Sequence, residues 1–146
     1  MGRTSDAELR RVSTDEDWDA YHEIREQVLW DARGRVGEYD RHHPDEHAPG
    51  KHPFLLVVGG DPIAALRIDI RPPIAWFRRV AVREHRQRHG YGRLMLELAM
   101  AFARESGCVE VRSNVDPEAV AFYGKLGFTV VDGEDAAPSV AMSRSL

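Results

Sequence analysis

The sequence predicts a mixed α/β domain whose strands dominate the middle of the chain, and three observations lead there. Its 146 residues suffice for one hydrophobic core and leave little for a second, so we expect a single domain over residues 1–146 with its core from about residue 8. Apolar residues make up 42% and charged residues 30%, enough apolar matter for a packed core and too much for a disordered chain. Strand-like runs between Phe54 and Val82 are punctuated by Gly59-Gly60-Asp61-Pro62 and Arg71-Pro72-Pro73, while segments on either side carry one-sided helical spacing.

The elements follow in order. Glu8 to Val12 forms a short first strand. Ser13-Thr14-Asp15-Glu16-Asp17 then offers cap oxygens and first-turn carboxylates to a helix. Trp18, Tyr21, Val28, Leu29 and Ala32 make that helix's apolar stripe, which ends near Gly34. From Gly34 to His52 the chain is polar and broken by Pro44, Pro49 and Gly50, which predicts a loop with room for one short helix. Phe54–Val58 and Ile63–Ile70 read as a hairpin, and Ile74–Val82 as the next strand. Leu94, Met95, Leu98, Ala99 and Phe102 give Gly90–Glu105 helical spacing, closed by Gly107. Cys108–Ser113 reads as a buried strand, Pro117–Leu126 as a short helix opening on proline, and Phe128–Val131 and Ser139–Ser143 as further strands.

Composition excludes several classes of partner. A net charge of −4 argues against a surface built to hold nucleic acid or anionic lipid. The lone cysteine, Cys108, rules out an intramolecular disulfide and fits a reducing cytoplasm. No segment reads as a signal peptide or a membrane span, so the expectation is a soluble cytoplasmic protein. Nearly all the positive charge is arginine, and Arg78, Arg79, Arg83, Arg86, Arg88 and Arg93 crowd around one strand-turn-helix junction.

That junction, Val80 to Leu94, carries the chemistry. Gly90 and Gly92 let a ligand approach the backbone, and the free N–H groups of the following helix favour an anion such as a pyrophosphate. A P-loop would need Gly-Lys-Ser/Thr and a dinucleotide fold a third glycine, and neither is present. Downstream stands Asn114, followed by Ala121-Phe122-Tyr123 and Leu126-Gly127-Phe128.

Together, Gln87-Arg88-His89-Gly90-Tyr91-Gly92 and the segment from Asn114 to Phe128 closely resemble the two acetyl-CoA signatures of the GNAT superfamily of N-acetyltransferases. The order of elements over most of the chain is also similar to that family's. The resemblance implies a mainly antiparallel central sheet flanked by helices, with central strands that splay to admit the pantetheine arm. It implies acetyl-CoA as cosubstrate, no metal, and direct transfer to a primary amine of a small molecule or peptide. Homodimers are common in the family, and the sequence leaves this open.

Carried over residue by residue, the resemblance assigns acetyl-CoA contacts to Val80, Ala81, Val82, Gln87, Arg88, His89, Gly90, Tyr91, Gly92, Arg93 and Asn114. Tyr123 would protonate the departing thiolate, and a backbone N–H near Val80 would polarise the thioester carbonyl. Phe122 is expected in the core. Many members carry a glutamate in the strand before Val80, where this chain has Trp76-Phe77-Arg78-Arg79. The candidate base is therefore Asp69, with Glu38, His42 or a water chain as alternatives. Glu38, Tyr39, His42 and Arg78 are candidate acceptor contacts, and Arg78 with Arg79 could face a carboxylate on the acceptor.

His43-Pro44-Asp45-Glu46-His47 fits a zinc-protease spacing but sits in a broken loop, so metal binding is not expected. Cys108 is read as a small buried hydrophobe. A non-catalytic acetyl-CoA sensor is the alternative function, which the presence of Tyr123 disfavours.

Overall fold

The computed structural model describes residues 6–136 and 139–146. Seven strands form one sheet: β1 (Ala7–Arg11), β2 (Lys51–Val58), β3 (Asp61–Arg71), β4 (Ile74–Val82), β5 (Glu110–Val115), β6 (Thr129–Ala136) and β7 (Ser139–Ser145). Their spatial order is β1-β2-β3-β4-β5-β7-β6, and every neighbouring pair is antiparallel except β4 with β5. The helices are α1 (Asp15–Arg25), α2 (Tyr91–Glu105) and α3 (Val120–Lys125). This is the mixed α/β organisation that the sequence pattern predicts, with the mainly antiparallel sheet that the family resemblance implies.

Helix α1 starts where its cap residues dictate. The Thr14 hydroxyl accepts from the Asp17 N–H at 3.1 Å, and the Asp17 carboxylate accepts from the Thr14 N–H at 3.4 Å. Beyond Arg25 the chain widens into a π-helical turn over Glu26–Trp30, tightens into a 3-10 turn over Asp31–Arg33, and stops at Gly34 with φ 76°. The expected single helix to Gly34 is thus three helical geometries in series.

Period-2 alternation in β2 and β3 sends side chains to two cores. Phe54, Leu56, Leu66, Ile68 and Phe77 pack against Met95, Leu96, Ala99 and Met100 of α2. On the opposite face Leu55, Val57, Ala65 and Ala81 meet Tyr21 and Ile24 of α1. Several boundaries move from the predicted ones; among them, β2 begins at Lys51, β5 at Glu110, and β6 runs on to Ala136 through a polar stretch that carries no strand signal.

The central pair splays. β4 and β5 pair only from Ile74↔Glu110 to Phe77↔Ser113, whereas β5 stays paired with β7 as far as Val115. Past that rung β4 bulges against β3: Arg67 faces Arg78 and Ala65 faces Ala81, so Arg79 and Val80 together oppose Leu66. Arg79 takes the left-handed conformation, φ 56°, that the extra residue requires. The bulge and the short β4–β5 ladder leave the end of β4 without a partner on its β5 side.

Candidate active site

The divergence of β4 and β5 opens a cleft of about 500 Å³. Val80, Ala81 and Val82 line one wall and Ser113, Asn114 and Val115 the other. Val28 and Leu29 of the π-helical turn close it from the α1 side, and Phe122 and Tyr123 from α3. The cleft therefore lies where unpaired strand edges present backbone donors and acceptors.

Its far end is the β4–α2 turn. Arg88 and Gly90 both have positive φ, 65° and 82°, which curls the chain over the start of α2. No side chain caps that start and no acid lies in its first turn, so the orphan N–H groups are free to receive an anion. Arg88 and Arg93 stand beside them on the lining, although Arg93 also bonds Glu97 at 2.9 Å. The Gln87 amide donates to the Val82 carbonyl at 2.9 Å and ties the turn back to its strand. His89 and Tyr91 are not among the residues that line the cleft, and the Tyr91 side chain is buried in the α2 core.

At the near end stands Tyr123, buried on α3, with its phenol pushed up to about 12 chiefly by that burial. The neighbouring Ser113 side chain pulls that value the other way, and its hydroxyl donates to the Phe77 carbonyl at 3.2 Å, on the last β4–β5 rung. Phe122 is not in the core as expected. It is 39% exposed and faces the cleft, its ring edge-on to Tyr123 at 5.6 Å.

A second cavity, of about 480 Å³, meets the first at Arg79, Asn114 and Asp116 and is otherwise lined by Lys51, Arg67, Phe77, Arg78 and Ser139. Asp69 is buried beside it. Its carboxylate accepts from Arg67 at 2.7 and 3.0 Å and from Lys51 at 2.9 Å, with Arg78 at 3.5 Å. Its oxygens are taken up by these three cations and it lines neither cavity, so Asp69 is placed as a charge anchor and not where an incoming amine would meet it.

Arg78 lines this second cavity, while Glu38, Tyr39 and His42 line neither. Glu38 pairs with Arg35 at 3.2 Å, and exposed His42 bonds Asp40 through its backbone. The Tyr39 hydroxyl lies 2.6 Å from His22 Nδ1, and burial together with Arg25 lowers the His22 imidazole to about 4. Tyr39 thus serves the α1 core rather than the cavity.

The Acetyltransferase (GNAT) family pattern matches residues 12–128, which span both walls of the cleft. The chain belongs to the GNAT family. Solved structures agree on the fold. A Pseudomonas aeruginosa acyl-CoA N-acyltransferase aligns at 20% identity over 95% of this chain and 98% of its own, with TM-score 0.80. The Escherichia coli ribosomal-protein-S18-alanine N-acetyltransferase aligns at 17% identity over 95% and 93%, with TM-score 0.75. The Thermoplasma acidophilum PaiA N-acetyltransferase, solved in complex with coenzyme A, aligns at 16% over 96% and 99%, with TM-score 0.74.

In this GNAT domain, then, the chemistry is acyl transfer. The His43–His47 segment is a loop with one 3-10 turn, and its Glu46 is buried, bonding the Tyr21 hydroxyl at 3.0 Å and Arg25. Among the described residues no group of three or more His, Cys, Asp or Glu side chains is placed to hold a metal. Cys108 is buried, which raises its thiol pKa. Of the crowded arginines, Arg83 bonds Glu23 and Arg86 bonds Asp61, so both brace the fold rather than the ligand. Among the described residues no helix is long and apolar enough to cross a membrane.

Proposed function

We propose that the protein transfers an acetyl group from acetyl-CoA directly to the primary amine of a small molecule or peptide, as a single cytoplasmic domain over residues 1–146 with its core from about residue 8. One observation carries this reading. The cleft runs continuously from the free N–H groups of α2, beside Arg88 and Arg93, to the buried hydroxyl of Tyr123. A pyrophosphate at one end and a thioester at the other, joined by an extended amide-bearing arm against the β4 edge, match those features in order.

Each end has work to do. Acetyl-CoA supplies the activated acyl group, and the family relative solved with coenzyme A supports that choice. Arg88, Gly90 and Gly92 hold the phosphates, the backbone of Val80 and Val82 bonds the arm, Asn114 reaches it from β5, and Phe122 packs on its apolar part. The amine enters from the Lys51–Arg79 side, where Arg79, Asn114 and Asp116 border both cavities. Its nitrogen forms the new C–N bond as the C–S bond breaks. Tyr123 gives its proton to the sulfur, and the proton lost by nitrogen passes to water. Surrounding cations disfavour an ammonium on the bound amine, which eases that loss where β4 carries no carboxylate.

The test is thiol release from acetyl-CoA over a panel of amino acids, polyamines, aminoglycosides and peptides, with Tyr123→Phe alongside. Turnover on some amine, reduced about 10²-fold in Tyr123→Phe, is the expected result. Tight acetyl-CoA binding without turnover on any amine would make the protein a sensor instead.

A further inference from the structure

The second cavity is built on one face of the sheet. Antiparallel partners share a face, so Lys51, Asp69 and Trp76 form one cross-strand row and Arg67 with Arg78 the next. The α1 core covers this face over Leu55, Val57, Ala65 and Ala81. Lys51, Arg67 and Arg78 lie beyond it and face the cavity.

Among the described residues the three cations of these rows, Lys51, Arg67 and Arg78, share Asp69, while Glu46 reaches Arg67 at 3.9 Å but is also paired with Arg25. Arg67 and Arg78 stand directly opposite each other, an arrangement that repels unless an anion lies between or above them. Asp116 lines the cavity but is taken by Arg33.

That leaves Arg79. The bulge puts its guanidinium over the Trp30 ring at 5.1 Å, and among the described residues no carboxylate pairs with it. Burial and the nearby Arg25, Arg67 and Arg78 all press its pKa down. Arg78 is likewise propped on an aromatic ring, 4.9 Å from the centre of Trp76. Two guanidinium groups are thus held by indole rings at the rim of a cavity whose other end opens to the acyl cleft.

We propose that the acceptor is a small amine that also carries an anionic group, carboxylate or phosphate, gripped by Arg78 and Arg79 while its amine points through the Asn114 opening toward Val80 and Tyr123. Guanidinium forks suit such oxyanions in two-point contact. The cavity volume of about 480 Å³ suits an amino acid or a short peptide end. This inference rests on the acetyl-transfer reading above and adds the acceptor's charge.

The experiment compares kcat/KM within matched sets of amines: an amino acid, its carboxamide, and an aminoalkyl phosphate of similar length. The expected result is a preference of tenfold or more, on the order of one good charged contact, for an anionic member over the neutral one. Which anion wins tells carboxylate from phosphate. In the Arg78→Gln/Arg79→Gln double variant that preference should fall toward one, while the KM for acetyl-CoA and the thermal midpoint report that the fold and acyl cleft survive. Arg78→Glu should turn the preference toward diamines. Equal turnover of charged and neutral amines by wild type would overturn the inference and leave acetyl transfer standing. No turnover of any amine would overturn both.

Discussion

The Ser113 hydroxyl donates to the Phe77 carbonyl at 3.2 Å across the last rung on which β4 and β5 still pair. Ser113 also lies beside Tyr123 on the lining of the same cleft. The point where the strands part is therefore tied, through one side chain, to the group proposed to protonate the thiolate. Ser113→Ala should cost about 1 kcal/mol of stability for the buried carbonyl it leaves less satisfied. It should also lower kcat by about tenfold through a freed Tyr123 hydroxyl, with little change in the KM for acetyl-CoA. Paired denaturation and steady-state measurements check both halves.

Burial raises the Tyr123 phenol to about 12, from an ordinary value of about 10, so the proton stays on oxygen well into the alkaline range. The rate should show no fall from Tyr123 ionisation until the pH approaches about 12. A pH profile of kcat with Tyr123→Phe as the reference checks this. A falling limb near pH 10 that vanishes in the variant would contradict it.

His22 gives an acid-side prediction. Its pKa falls from 6.5 to about 4 in the folded protein, so the unfolded chain binds the extra proton first as pH drops. The stability from neutral His22 is present above pH 6.5 and is lost progressively down to about pH 4, roughly 3 kcal/mol in all. Urea midpoints across that window should slope less in His22→Phe than in wild type.

The two glycines of the β4–α2 turn should answer differently to alanine. Gly90 has φ 82° with open space around it, so Gly90→Ala should cost about 1–2 kcal/mol from backbone strain alone and weaken coenzyme A binding by about tenfold. At Gly92 an added Cβ would rest 3.5 Å from Phe122 and 3.7 Å from Val82, which is ordinary contact. Gly92→Ala should fold at least as well as wild type. Calorimetry and titration with coenzyme A separate the pair.

Local pattern in the sequence carried the element order and the turn residues Gly90 and Gly92, because turns and helix starts are set by neighbours in the chain. Registers and partners across the sheet were not legible. Asp69 looked like an available base because Lys51 and Arg78, which hold it, come from strands on either side. Phe122 faces the cleft and Tyr91 the core because neither a short apolar run around Phe122 nor the glycines flanking Tyr91 reveal which face an aromatic takes. The bulge at Arg79 and the π-helical turn that brings Val28 and Leu29 to the cleft have no local signature. Ser113 was missed for a like reason, since its role depends on Phe77 and Tyr123 arriving from elsewhere.

The central claim is that the amine attacks the acyl group directly in the space between β4 and β5. A single-turnover experiment with carbonyl-labelled acetyl-CoA and the best acceptor tests it, following released thiol, labelled amide and protein mass together. One amide should form per thiol at every time point, with no label on the protein. Label appearing on the protein before the amide, or thiol released without amide, would contradict it.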